Sequence, residues 1–329
     1  MLHLRAKYVP RTSDGNGYRH MNMVKTAMLL AGLTALLMFA GFALGGEVGL
    51  IGAMIFAIAT NAYAYWNSDS LALKAHNARP VTRASAPQLV EMVEKLARNA
   101  NMPVPAVYVI DNPQPNAFAT GRSPDKAAVA ATTGIMQMLN YEELEGVMAH
   151  ELAHIQNRDT LIMTVSATVV SALTMLAQWG WLIRSMGGNR NSAFGMIGML
   201  LAAFLAPMAA GVIQMLISRT REYSADRLGG QICGNPLALA SALNKISGQG
   251  KRIEMDSAER NPASAHLFIV NPLSGRRMDN LFSTHPSTEN RIAELQKQAA
   301  EMGISSGRSQ ARQWGPPTTG RPDRSGPWT

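Results

Sequence analysis

The fold is decided by the stretch His150-Glu151-Leu152-Ala153-His154. At 3.6 residues per turn, His150 and His154 project from one face of a helix, so both imidazoles can reach a single tetrahedral zinc ion. Glu151 stands beside the first ligand, where its carboxylate can accept a proton from a water that the metal activates for attack on a carbonyl. The motif predicts a zinc hydrolase with one Zn²⁺ per chain; the alternative is a chance coincidence on an ordinary surface helix.

The residues before this motif predict that it lies inside a helix. Asn140 is a suitable N-cap, carboxylates follow it in the first turn, and helix-forming residues continue through His154. Patterns further upstream predict a helix over Ala86–Ala100 and strands over Ala106–Ile110 and Ala127–Thr133.

Apolar residues make up 47% of the 329-residue chain, yet its mean hydropathy is −0.02, so they must be concentrated in particular segments. Four uncharged stretches have about the length that crosses a bilayer: Ala27–Leu44, Val48–Trp66, Leu161–Ile183 and Ala193–Ile217. They predict four transmembrane helices in two hairpins, and therefore an integral, multi-pass membrane protein whose partner is the lipid bilayer.

Charge predicts the orientation of the first hairpin, whose turn is Gly45-Gly46-Glu47. Basic residues flank it on both sides and are missing from the turn: Arg5, Lys7, Arg11, Arg19 and Lys25 precede it, and Lys74, Arg79 and Arg83 follow it. Both flanks should be cytoplasmic. The net charge of +8 fits Lys and Arg that face anionic lipid. Basic and aromatic residues do not alternate as in nucleic-acid binders, so no nucleic-acid partner is expected.

The second hairpin permits two interpretations. Polar residues and a proline interrupt it, and its connecting loop carries Arg184 and Arg190, which argue against export of that loop. It either spans the membrane fully or forms two long helices that pack on the catalytic domain or lie shallow in the bilayer.

These features divide the chain into six segments. They are a cytoplasmic N-terminal extension (1–25), a transmembrane hairpin (26–66), the first part of the catalytic domain (67–160), a second transmembrane hairpin (161–217), the second part of the catalytic domain (218–300) and a disordered tail (301–329). Since Cys233 is the single cysteine, no internal disulfide can form, which fits a reducing cytoplasm.

A catalytic zinc ion needs a third protein ligand, and the best candidates directly follow the second hairpin. Glu222 and Asp226 lie one turn apart on one helix face, so Glu222 can bind the metal while Asp226 accepts a hydrogen bond from a ligand imidazole. The alternative is a solvated helix whose carboxylates pair with Arg219, Arg221 and Arg227. A thiolate ligand from Cys233 is a further alternative.

Taken together, these motifs resemble those of the HtpX membrane metalloproteases, relatives of the CAAX prenyl protease and of OMA-type peptidases. The resemblance rests on the zinc motif, on Arg219-Thr220-Arg221-Glu222-Tyr223-Ser224-Ala225-Asp226 and on the hydrophobic hairpins, and covers roughly residues 21 to 295. It implies a mainly helical α+β protein with a gluzincin catalytic domain. It further implies zinc on His150, His154 and Glu222, with Glu151 as general base.

Two further segments match the same family. Asn116–Gly121 would be an edge strand that pairs with the substrate backbone, or else an ordinary structural strand. His285, in Ser283-Thr284-His285-Pro286, would act as a catalytic donor to the oxyanion, with Arg291 as a supporting charge, or else be a loop residue.

The leading hypothesis is a zinc-dependent endopeptidase of the bacterial inner membrane, with its active site facing the cytoplasm. Its expected substrates are misfolded membrane proteins, cleaved in quality control through Glu151-assisted attack of zinc-bound water on the peptide carbonyl. The alternative is a non-catalytic metal-binding membrane scaffold, against which the presence of Glu151 argues. An intramembrane protease is not favoured, because charged residues surround the motif. The sequence leaves the oligomeric state open.

Overall fold

The computed structural model describes residues 14–163, 219–249 and 287–304. The helices are α1 (Asp14–Trp66), α2 (Ser68–Ala75), α3 (Pro87–Asn99), α4 (Thr133–Met138), α5 (Tyr141–Gln156), α6 (Arg219–Cys233), α7 (Pro236–Gln249) and α8 (Thr288–Glu301). The strands are β1 (Arg79–Pro80), β2 (Ala106–Ile110), β3 (Ala117–Ser123) and β4 (Lys126–Thr132). The expected mainly helical α+β architecture is confirmed.

Helix α1 turns back on itself. Asn61 Nδ2 donates to the carbonyl oxygen of Leu30 at 3.3 Å and to Thr34 Oγ1 at 2.8 Å. A straight helix would separate residues 31 positions apart by about 46 Å, at 1.5 Å per residue. The reversal occurs at Gly46, whose φ of 58° lies in the left-handed region. It falls within the Gly45–Glu47 segment where the sequence predicts a turn.

The second arm of α1 presents apolar side chains outward. Gly46–Tyr63 has a mean hydropathy of 1.3 over 18 residues, and only 6% of this window is buried. It is the candidate membrane span among the described residues. The segment 164–217 of the second hairpin lies outside them, so four transmembrane helices remain a prediction. Helix α1 begins at Asp14, within the segment that the sequence assigns to an N-terminal extension.

A small mixed sheet lies beside the helices, with strand order β1-β2-β4-β3. Strands β2 and β4 run parallel, and the other two pairs are antiparallel. Strand β2 has the predicted bounds, and β4 is shifted by one residue because Thr132 caps α4, its side chain accepting from Ile135 N. In the described part of the chain β3 pairs with β4 alone, so it is an edge strand as predicted.

Helix α5 forms the centre of the molecule. Asn140 and Glu143 make a capping box at its start, and every side chain from Glu143 to Ile155 is buried. It packs against α3, α6, α7 and β3. Glycine allows the closest approach: a Cβ on Gly229 of α6 would lie 2.9 Å from His150 Cα. The packing of α6 on α5 therefore fixes how the two halves of the site meet.

Candidate metal centre

Helices α5 and α6 bring three potential metal ligands together. His150 and His154 lie on the same face of α5, and Glu222 lies in the first turn of α6. One ligand atom from each side chain lies within 4.8 Å of the other two. Glu222 Oε2 is 3.7 Å from His150 Nε2, and Glu222 Oε1 is 3.6 Å from His154 Nε2. All three side chains are buried.

A carboxylate behind each histidine orients its ring toward the shared point, through close contact at His150 and a hydrogen bond at His154. His150 Nδ1 lies 3.0 Å from Asp226 Oδ1, and His154 Nδ1 lies 3.0 Å from Asp159 Oδ2. The two Nε2 atoms therefore face each other, at 3.1 Å. Two imidazole nitrogens and one carboxylate form a donor set that suits zinc and leaves a fourth position open, so the residues fit this metal.

Arg291 of α8 joins the carboxylates of this cluster. Its Nε and Nη2 atoms donate to the two oxygens of Asp226 at 2.7 and 2.6 Å, and Nη1 lies 3.3 Å from Glu222 Oε2. Although burial opposes it, the charge of Arg291 holds the pKa of Asp226 below its usual value. Arg291 thus acts on Asp226 and Glu222, a role different from the expected support of His285.

Burial changes the protonation of the cluster. It raises the pKa of Glu151 to about 8 and lowers that of His150. For His154, burial alone would lower the pKa, but the hydrogen bond to Asp159 and nearby carboxylates raise it to about 9. These values belong to the metal-free protein, because a cation at the cluster favours the deprotonated form of each group.

Strand β3 runs beside Glu151. The carbonyl of Asn116 accepts from Thr132 N at 2.9 Å, and antiparallel alternation then directs the backbone groups of Ala117, Ala119 and Gly121 away from β4. The backbone N–H of Ala119 donates to Glu151.

The outer side of this strand is also tied to the segment that follows α5. The carbonyl of Gly121 accepts from Thr160 Oγ1 at 2.9 Å, and Thr160 comes directly after Asp159. The edge of β3 and the metal cluster therefore belong to one site.

Several sequence expectations can be compared directly with these contacts. Asp226 contacts His150 as expected. The alternative of a solvated α6 is wrong for its two carboxylates, because Glu222 and Asp226 are buried against the histidines. Cys233 lies apart from the cluster described here; its Sγ contacts the carbonyls of Gly230 and Asn235 at 3.7 and 3.5 Å. His285, which is expected to donate to the oxyanion, lies outside the described residues.

Sequence reasoning missed Asp159 and left Arg221 as a surface ion-pair partner. The available signal for Asp159 was a carboxylate shortly after the second histidine. Arg221 gave no signal of its own, because its burial depends on tertiary packing.

An HExxH helix beside a glutamate from a second helix is the arrangement typical of metallopeptidases. The sequence model of peptidase family M48 matches residues 83–299, more than half of the chain. The chain therefore belongs to peptidase family M48, a family of metal-dependent peptidases. The resemblance to membrane metalloproteases is confirmed at this level.

Among solved structures, the chain is similar to Ste24p of S. mikatae. The two share 18% sequence identity with a TM-score of 0.44, and the match covers 85% of this chain. It spans 66% of the length of the Ste24p chain.

Proposed function

We propose that this protein is a membrane-anchored, zinc-dependent endopeptidase. The observation that carries this proposal is the buried cluster of His150, His154 and Glu222, with Glu151 on the same helix as the two histidines. Membership of peptidase family M48 supports the hydrolase class. Zinc is the proposed ion because an HExxH helix that supplies two imidazoles, joined by a glutamate, is the ligand arrangement of zinc peptidases.

The chain's own residues supply the remaining chemistry. A zinc ion on the three side chains would act as a Lewis acid and lower the pKa of bound water to about 7. Glu151 accepts a proton at its carboxylate and returns it to the leaving nitrogen, a contribution of roughly 10²- to 10⁴-fold in rate. Glu222 would bind the zinc ion through its carboxylate, which Nη1 of Arg291 approaches to 3.3 Å at Oε2.

The edge of β3 is the proposed binding strand for substrate. The carbonyls of Ala117 and Ala119 face away from β4, the geometry by which an extended peptide adds to a sheet edge. Both residues are buried in this structure, so the peptide would take the place of the contacts that now cover the edge. Such binding depends little on sequence. It suits an enzyme that cleaves many different unfolded segments, including the misfolded membrane proteins expected as substrates in quality control.

The proposed location is the bacterial inner membrane, with the site on the cytoplasmic side. The last residue of α1 contacts the substrate-binding strand directly: Arg122 Nη1 donates to the carbonyl of Trp66 at 2.8 Å. This contact supports a cluster that lies close to the membrane surface, where it can reach juxtamembrane segments. Positive charge on both flanks of the first hairpin supports the cytoplasmic orientation.

The test is cleavage of casein by the detergent-purified protein and its Glu151→Gln variant. We expect the variant to keep its metal but to lose activity roughly 10²- to 10⁴-fold, because an amide cannot accept the proton. Glu91→Gln is the matched control, since Glu91 is exposed on α3 and should leave the rate unchanged. Metal binding without cleavage by the wild type would favour the scaffold alternative.

A further inference from the structure

Two of the buried charged residues around the metal cluster have no role in the proposed reaction. They are Asp159 and Arg221, with exposed fractions of 2% and 6%. Burial of a charged side chain is costly unless a partner compensates for it, so their position needs a physical reason.

Asp159 reaches His154 through an unusual turn. Helix α5 ends at Gln156, and Arg158 then adopts a φ of 60°, in the left-handed region that non-glycine residues rarely enter. The chain becomes helical again at residue 159. This reversal brings Asp159 Oδ2 to 3.0 Å from His154 Nδ1. Strained backbone of this kind persists where the surrounding contacts require it.

The contact repeats the arrangement around the other histidine. Asp226 lies 3.0 Å from His150 Nδ1 and is itself held by the guanidinium of Arg291. On the side of His154, Asp159 takes the place of Asp226. The guanidinium of Arg221 is close enough to Asp159 and Glu222 to be attracted by both.

Arg221 differs from Arg291 in one respect. Its Nη1 and Nη2 atoms are buried and have no hydrogen-bond acceptor within the described part of the chain. Arg221 therefore acts through its charge and not through directed hydrogen bonds.

The net charge of the buried side chains supports separate roles for Asp159 and Arg221. Six charged side chains are buried around the cluster, four carboxylates and two guanidiniums: Glu151, Asp159, Glu222, Asp226, Arg221 and Arg291. When all six are ionised, together they carry two net negative charges. A divalent cation neutralises that charge. Without Arg221 the imbalance would be larger: Asp159 would lose the attraction of this guanidinium, and Glu222 would keep Arg291 as its neighbouring guanidinium.

We propose that Asp159 is a positioning residue that directs His154 Nε2 toward the metal, and that Arg221 is the buried cation that compensates the charge of Asp159 and Glu222. This inference rests on the metal centre proposed above. The two residues are expected to have opposite effects on zinc binding. Loss of Asp159 frees the ring of His154, whereas loss of Arg221 removes a positive charge that repels the zinc ion.

The experiment measures the zinc dissociation constant by competition with a chelator, together with thermal unfolding of the metal-free protein, for each variant in detergent. We expect Asp159→Ala to raise the zinc Kd about 100-fold and Asp159→Asn about 10-fold, because the amide oxygen can still accept from Nδ1. Asp125→Asn is the control, since Asp125 is exposed in the β3–β4 turn. A merely structural role would lower the melting temperature and leave the Kd of the folded protein unchanged.

Arg221→Gln should lower the melting temperature of the metal-free protein while its zinc Kd stays equal to, or falls below, that of the wild type. Arg227→Gln is its control, because Arg227 lies exposed on the same helix. A wild-type Kd in Asp159→Ala, or in Asp159→Asn if the alanine variant does not fold, overturns the role of Asp159. A raised Kd in Arg221→Gln overturns the role of Arg221. If the wild type itself binds no zinc, the proposed function fails instead.

Discussion

In each histidine of the cluster, the Nδ1 atom contacts a carboxylate, and the Nε2 atom points toward the other histidine and Glu222. The partners are Asp226 for His150 and Asp159 for His154. Such contacts fix the ring orientation and the tautomer before any metal arrives. Because these contacts are buried, they also determine how many protons the cluster holds.

This protonation leads to a prediction about metal binding. In the metal-free protein, His154 and Glu151 both carry a proton at pH 7, because their pKa values are raised to about 9 and about 8. Zinc needs the neutral imidazole, and its charge opposes the proton on Glu151. We expect zinc binding at pH 7 to release about two protons and the apparent affinity to rise with pH up to about pH 8 to 9. Titration calorimetry in buffers of different ionisation enthalpy counts the protons.

The variant Glu151→Gln provides the internal control for this count. Its amide does not titrate, so the number of protons released should fall to about one while zinc still binds. A binding heat that does not depend on the buffer would contradict the pKa values given for both groups.

The sequence predicts the candidate metal ligands better than it predicts the carboxylates that orient them. His150 and His154 follow from helical spacing alone, since four positions separate them on one helix. Glu222 and Asp226 required the further idea that a second helix meets the first. Asp159 reaches its partner through a left-handed residue, Arg158, which no local pattern signals.

At the level of secondary structure, the site depends on how closely α6 approaches α5. Gly229 makes this approach possible: a Cβ there would lie 2.9 Å from both the N and Cα atoms of His150. Backbone atoms inside a helix cannot move aside as a flexible side chain can. The spacing of the two helices therefore sets the distance between Glu222 and the histidines.

Gly229→Ala should destabilise the protein by about 1 to 3 kcal/mol, because the helices must separate to admit the methyl group. It should also weaken zinc binding, since Glu222 moves with α6. Thermal unfolding and zinc titration measure the two effects. Gly248→Ala on α7 is the matched control: a Cβ there meets nothing within 4 Å, so stability should stay the same or increase slightly. Equal stability of the two variants would contradict the packing argument.

The sequence predicts several elements here with nearly correct bounds. Helix α5 follows from its capping box and helix formers, and β2 from an apolar run after two prolines. The position of β3 at the sheet edge came from family resemblance, because strand order is not encoded in local periodicity. The short β1 was missed, since Arg79–Pro80 has no apolar alternation.

For the whole molecule, the proposed topology makes the first hairpin, α1, the element that positions the metal cluster relative to the membrane. Its second arm exposes large apolar side chains, and Arg122 of β3 donates to the carbonyl of Trp66 at the end of that arm. A cytoplasmic domain is then expected on the side of both hairpin ends, with the turn at Gly46 on the opposite side of the bilayer.

This arrangement predicts the reactivity of introduced cysteines in intact cells. Glu47→Cys should react with a membrane-impermeant thiol reagent, and Asp125→Cys should react only after the cells are opened. Glu47 is preferred to Gly46, whose positive φ would strain a cysteine. The native Cys233 should add little background, because burial raises the pKa of its thiol to about 11. Labelling of Asp125→Cys in intact cells would reverse the proposed topology.

His150, His154 and Glu222 are proposed to hold one zinc ion together, and the zinc content of the purified protein tests this. Wild type and Glu222→Ala are equilibrated at the same buffered free zinc concentration, with Glu91→Ala as the exposed-glutamate control. We expect about one zinc ion per chain in the wild type and in Glu91→Ala, and a large loss in Glu222→Ala, because two imidazoles alone bind the ion weakly. A full equivalent of zinc in Glu222→Ala, or none in the wild type, would contradict the claim.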